Sequence, residues 1–130
     1  MEMRRSKQVI IMRTDLNMRR GKQIAQGAHA SLKVVLDEWQ LFVISLIIHA
    51  FATNAISDWL FGSFTKICCQ TKSEDQLKDL YRQAKEAGLP CSLILDEGRT
   101  EFNEPTYTCI AIGPAWEDKI DPITKELKLL

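Results

Sequence analysis

The sequence predicts one compact α/β domain over residues 1–130: a four-stranded mixed sheet with helices on both faces. Three observations carry that prediction. Short apolar runs of strand length alternate with longer stretches of helical period. Turn and cap residues stand at the junctions, as in the Gly88-Leu-Pro90 run. No internal repeat, low-complexity tract or linker divides the 130 residues, a length that suits one domain.

Each element follows in order. Val9 to Met12 is a continuous apolar run, as for a strand buried on both faces. The polar link Arg13 to Asn17 comes next, with Asn17 placed to cap a helix from about Met18 to Glu38. Ile24, Ala28, Leu32 and Leu36 recur every four residues, widened by Ala25 and Val35, and predict the core-facing stripe of that helix. Residues 40–62 read as a second helix, apolar all round, and Phe64 to Cys69 as a second strand. Ser73 and Gln76 have capping-box spacing and open a helix that aligns Leu77, Leu80, Tyr81, Ala84 and Ala87. Gly88 fits its C′ position, with Pro90 beyond. Cys91 to Leu95 and Thr106 to Gly113 read as the last two strands around a polar loop, and Trp116 to Leu127 as a final helix. The order is β-α-α-β-α-β-β-α. Its two consecutive last strands imply an antiparallel component in an otherwise parallel sheet.

Composition narrows the function. With 45% apolar and 26% charged residues, the chain buries a core and disorder is excluded as its main state. The net charge is zero, which excludes a uniformly basic nucleic-acid coat. Residues 1–33 nevertheless hold eight basic and two acidic side chains, so one end is basic and the rest acidic. Cys68, Cys69, Cys91 and Cys109 lie in apolar runs without zinc spacing, and read as reduced thiols of a cytoplasmic protein. The longest apolar stretch, Leu41 to Ala52, has 12 residues, short of the roughly 20 that span a bilayer. It reads as a buried or interface helix.

The candidate chemistry lies at the carboxyl ends of the strands, where open α/β sheets bind ligands. Arg19, Arg20 and Lys22 crowd the start of the first helix around Gly21. Cations there oppose the helix dipole, so a bound anion is one explanation and a solvated basic turn the other. Seven residues turn a helix through about 700°, so Lys22 and His29 lie within roughly 20° of one line, with Gln26 between them and Lys33 beyond. A histidine at such an edge is more often a packing residue than a catalyst. Asp96 ends the third strand and opens the turn to Arg99 and Thr100; Thr106 and Thr108 begin the return strand. A carboxylate, an ammonium, an imidazole and hydroxyls could thus converge to orient water and hold an oxyanion, as ester hydrolysis requires.

These residues resemble the type 2 peptidyl-tRNA hydrolase family. The likeness rests on Val9 to Ala30, which holds the Gly-Lys pair at 21–22 and Ala-His-Ala at 28–30. It continues in Asp-Glu-Gly-Arg-Thr at 96–100 and Thr-Cys-Ile-Ala-Ile-Gly-Pro at 108–114. It covers residues 8–35 and roughly 59–130. The resemblance implies a compact mixed α/β domain, usually dimeric, that cleaves the ester joining a peptide to the 3′ end of tRNA without metal or other cofactor. By position it implies catalytic roles for Lys22, Asp96, Thr108 and His29, and substrate contacts from Arg19, Arg20, Gln26, Arg99 and Thr100. Whether Asp96 or Lys22 accepts the proton stays open. Two departures stand out. Trp39 to Leu60 is more apolar than is usual in the family, as a dimer face, a lid or a partner surface would be. Glu97 adds a charge that would raise the Asp96 pKa if the two carboxylates were close. The competing readings are a non-catalytic RNA-binding domain and a protein-interaction module built on residues 41–52.

Overall fold

The computed structural model describes residues 4–130. Strand β1 (Ser6–Arg13) leads into helix α1 (Arg20–Asp37), α2 (Trp39–His49) and the short α3 (Ala55–Asp58), which continues as a π-helical turn over Trp59–Ser63. Strand β2 (Lys66–Thr71), helix α4 (Glu74–Glu86), strands β3 (Cys91–Asp96) and β4 (Thr106–Trp116) and helix α5 (Glu117–Thr124) complete the chain. The sheet order is β2-β1-β4-β3. β1 runs parallel to β2, and β4 runs antiparallel to both β1 and β3. The mixed sheet inferred from two consecutive last strands is the one observed.

Alternation along β1 splits the core. Val9 and Ile11 pack with Leu77, Leu80, Ala84 and Ile120 under α4 and α5. Ile10 and Met12 face the other way, to Ala30, Val34, Phe42 and Ile56 under α1, α2 and α3. Helices therefore cover both faces, and β1 and β4 are buried on each side.

Helix α4 follows its sequence signals closely. The Ser73 hydroxyl accepts from the Gln76 N–H, and Leu77, Leu80 and Ala84 are buried. At its end Gly88 takes a positive φ of 73°, and the Gly88 and Leu89 N–H groups donate to Lys85 and Ala84 carbonyls. Only half of the capping box forms, because the Gln76 side chain accepts from the Thr71 hydroxyl instead of turning back to Ser73.

Four expectations are corrected. The predicted helix over 40–62 is broken after His49, where Asn54 caps α3 through a reciprocal pair of hydrogen bonds with Ser57. Asn17 does not cap α1; it sits at φ 53° in the preceding turn, and Arg19 holds the N-cap position without a side-chain bond. The stripe Ile24, Leu32 and Leu36 is exposed; Gln26, Gly27, Ala30 and Val34 are the buried residues of α1. Small side chains let this helix lie close on the sheet, with Gly27 Cα backing onto Ile10 and Met12. Finally, α2 buries only Phe42 and Ser45, which overturns the buried alternative for this apolar helix and leaves the interface one standing.

Candidate active site

Strands β1 and β3 point the same way, separated by the antiparallel β4. The end of β3 and the start of α1 therefore share an edge, and the start of β4 lies between them. Asp96 is the last residue of β3, Thr108 is the third of β4, and Lys22 and Gln26 are one turn apart on α1.

The side chains meet as that geometry requires. Lys22 Nζ donates to Asp96 Oδ1 at 2.6 Å, with both side chains only 11% exposed. It also donates to the Thr100 hydroxyl. Gln26 is buried and bridges the cluster: its Nε2 donates to Asp96 Oδ1 at 3.3 Å, and its Oε1 accepts from the fully buried Thr108 hydroxyl. The other Asp96 oxygen, Oδ2, accepts from the Gly98 N–H at 3.0 Å. That turn needs glycine, because Gly98 has φ 81° and an added Cβ would stand 2.7 Å from the Glu104 backbone. The Phe102 ring lies under the Lys22 ammonium, 5.6 Å from it to the centroid.

The electrostatics follow from these contacts. The Lys22 hydrogen bond, helped by the Gly98 N–H, holds the Asp96 carboxyl below its ordinary range against the opposing effect of burial. Glu97 does not reverse this. Its carboxylate turns to the Arg99 guanidinium at 3.2 Å, with both groups exposed. The condition for an upward push on Asp96, two carboxylates close together, is not met, because Glu97 pairs away from the site.

The remaining residues sit at the rim or outside it. His29, Arg99 and Thr100 line a shallow cleft of about 230 Å³ with Gln26 and Asp96. His29 is exposed at its edge and Arg99 is paired with Glu97. Arg19 projects into solvent, 3.9 Å from Glu101. Arg20 turns to the opposite flank of α1, where it borders a second depression. The free N-terminus of α1 is met by the chain itself: Glu101 Oε2 accepts from the Arg19 N–H at 3.2 Å, so a carboxylate from the β3–β4 loop answers the helix dipole. The sequence marks Gly98 as the glycine of the turn after Asp96, whereas Glu101 and Phe102 carry no local signal for reaching α1.

Of the cysteines, Cys69, Cys91 and Cys109 are buried and Cys68 is exposed, all four as free thiols. Burial pushes Cys91 up to about 11 and Cys109 up to about 12, so neither is a thiolate near neutrality. Among the described residues no three His, Cys, Asp or Glu side chains converge as a metal-binding group. No described helix is long and apolar enough to cross a membrane.

The fold is α/β, and its cluster brings a carboxylate, an ammonium and two hydroxyls to one sheet edge, the kinds of group that ester hydrolysis can use to hold water and meet a developing oxyanion. The family model for peptidyl-tRNA hydrolase PTH2 matches residues 6–130. A peptidyl-tRNA hydrolase of Methanocaldococcus jannaschii is 40% identical over 124 residues, covering 95% of this chain and 99% of the relative. Another, from Sulfurisphaera tokodaii, is 40% identical over 125 residues, covering 96% and 98%. The chain belongs to the PTH2 family of peptidyl-tRNA hydrolases. A solved structure of a protein of unknown function from Agrobacterium tumefaciens matches with a TM-score of 0.59 over 98% of this chain and 99% of that one. At 16% identity it speaks for the fold alone.

Proposed function

We propose that the chain hydrolyses the ester between a peptidyl or N-acylated aminoacyl group and the 3′ end of tRNA, with the Lys22–Asp96–Gln26–Thr108 cluster as its centre. The observation that carries this reading is the chain of contacts from part-buried Lys22 and Asp96 through Gln26 to the buried Thr108. Asp96 orients the attacking water. A carboxyl held below its ordinary range is a weak base near neutrality, so water positioning suits it better than outright deprotonation. Lys22 neutralises the charge that grows on the carbonyl oxygen, and Thr100 lies within its reach to donate alongside it. Gln26 takes a different part from the substrate contact the resemblance implied: it positions Asp96 and Thr108 relative to each other. Thr108 is fully buried, so its contribution passes through Gln26 until substrate rearranges the pair.

Around this centre, Arg19 and Arg99 reach out for acceptor-end phosphates, and His29 borders the leaving-group side of the cleft. Arg20 faces away and contributes long-range charge only. The enzyme acts in the cytoplasm on peptidyl-tRNA released by stalled translation, and works as a homodimer.

The test is release of the acyl group from purified N-acylated aminoacyl-tRNA in EDTA by wild type and by Asp96→Asn. Turnover by wild type that collapses in the folded variant is the expected result. Equal turnover by both would remove Asp96 from the reaction, and none by folded wild type on several acyl-tRNAs would remove the reaction.

A further inference from the structure

Thr108 faces the active-site cluster because β4 is irregular there. Ile94 of β3 pairs with Cys109, but Leu95 pairs with Tyr107, so Thr108 is the extra residue of a β-bulge. Beyond the bulge the strand alternates. Ile110 and Ile112 pack on the α4 side of the sheet, and Cys109 and Ala111 on the α1 side. Unbroken alternation would send Thr108 to the α4 side and Tyr107 to the α1 side. The bulge exchanges them. Tyr107 packs on the α4 side, and the Thr108 hydroxyl meets Gln26 of α1, next to the Cys109 thiol. A slip to regular pairing would turn that hydroxyl away from the cluster.

The exchange is held from the far side of the sheet. Met12 of β1 pairs with Cys109, so Arg13 stands one residue further on, beside the bulge. Val9 and Ile11 face α4, and Arg13 continues their row, reaching within 3.7 Å of Glu74 on that helix. Arg13 is buried, and its Nη1 donates to the Tyr107 carbonyl at 2.9 Å, in the peptide group that leads into Thr108. Its Nε and Nη2 donate to the two oxygens of Asp15 at 3.0 and 2.6 Å, a fork that fixes the guanidinium plane. Those bonds hold the Asp15 carboxyl below its ordinary range against the effect of burial, so the fork is ionised at neutral pH. The Tyr107 ring is itself held, with Lys78 Nζ 4.7 Å from its centroid.

We propose that Arg13 and Asp15 are positioning residues that lock the β4 bulge, so that the Thr108 hydroxyl is presented to Gln26 and the cluster. Arg13 bonds to Tyr107 and Asp15 and not to the cluster, so it acts on the reaction only through the backbone of β4. Asp15 sets its direction. Without that carboxylate, Glu74 is the acid left within reach, and a guanidinium turned to it lets go of the Tyr107 carbonyl. The consequence for turnover rests on the hydrolysis reading above; the consequence for the bulge does not.

A double-mutant cycle with a spectroscopic readout tests the lock in the full chain. Asp15 is partly exposed, so Asp15→Asn is expected to fold. It should lower kcat on N-acylated aminoacyl-tRNA about 10–100-fold with KM within about twofold, the pattern of a misplaced group. Asp15→Glu keeps a carboxylate for the guanidinium and should restore most of that loss. In a Thr108→Val background, Asp15→Asn should cost no more than about twofold further, because the hydroxyl it positions is gone. The full loss repeated in that background would overturn the proposal. In nitrogen–proton correlation spectra, Asp15→Asn should shift the Thr108 amide and the Gln26 side-chain amide, and Asp15→Glu should return them. Asp118→Asn, at the exposed pair with Arg4, is the control and should leave both in place. Unshifted Thr108 and Gln26 signals in Asp15→Asn would overturn the lock whether or not the chain hydrolyses acyl-tRNA. Shifted signals in a wild-type chain without turnover would sustain the lock and remove the hydrolysis reading alone. Loss of the fold in Asp15→Asn would overturn it too, by making the pair a support of the whole sheet.

Discussion

The two flanks of α1 differ in how their side chains are satisfied. On one, Lys22 and Gln26 have every buried polar atom matched, to Asp96, Thr100 and Thr108. On the other, Ile24 and Leu32 remain largely in water. The difference separates two demands. A polar cluster must be completed within one subunit, because an unmatched buried donor or acceptor costs about 1–3 kcal/mol. An apolar face tolerates exposure until something covers it, since hydrophobic attraction is non-directional and scales with area.

The sharpest way to break this contrast is to remove a charge from the matched flank. Lys22→Ala should lower turnover on N-acylated aminoacyl-tRNA about 10²–10³-fold, the scale of one lost transition-state contact. Near wild-type turnover would mean the cluster is not the reaction centre. Gln26→Leu keeps the approximate volume but strands the Thr108 hydroxyl in the core. It should destabilise the fold by about 1–3 kcal/mol in urea titration and reduce turnover without changing the oligomeric state. Gly98→Ala attacks the same flank through the backbone. The positive φ and the Glu104 contact predict a loss of about 1–3 kcal/mol, together with a fall in kcat as Asp96 loses its N–H partner.

A pH series sharpens the comparison further. The Asp96 carboxyl is held below its ordinary range, so its stabilising contacts persist above the unfolded value, near 3.9. They are lost as pH falls through the depressed folded value. Asp96→Asn should therefore flatten part of the acid limb of the stability profile in calorimetry, while Asp118→Asn, at an exposed pair with Arg4, should change it little. The smallest effect belongs to the uncovered flank. Leu36→Gln, away from both the cleft and the depression that Arg20 borders, should leave hydrolysis within about twofold and stability within about 0.5 kcal/mol. A large loss there would show that the exposed face is already covered within the subunit.

Helices α4 and α1 show why sequence patterns succeeded in one place and failed in another. In α4 the apolar positions are the only candidates for the core, and Ser73 and Gly88 mark its ends, so pattern and structure coincide. In α1 the apolar stripe at Ile24, Leu32 and Leu36 reads equally well but lies outside. Its inner face is Gln26, Gly27, Ala30 and Val34, of which only Val34 is a large apolar residue. They are inside because close approach to the sheet needs small side chains, and because Gln26 has Asp96 and Thr108 to bond there. The chemistry-bearing residues were better marked than their support. Lys22, Asp96 and Thr108 stand at element ends, whereas Glu101 and Phe102 lie in a loop whose path only the fold defines.

The sequence by itself determined the order of strands and helices, the mixed sheet and the residues that meet at its edge. Strand runs, caps and motif spacing are local properties, read from a few neighbouring residues. Only the tertiary structure decided which face of α1 is inside, that residues 40–62 break after His49, and that α2 stands exposed. Periodicity lays out the faces of a helix, but the choice among them depends on what lies across from each one, and those partners are 70 or more residues away in the chain.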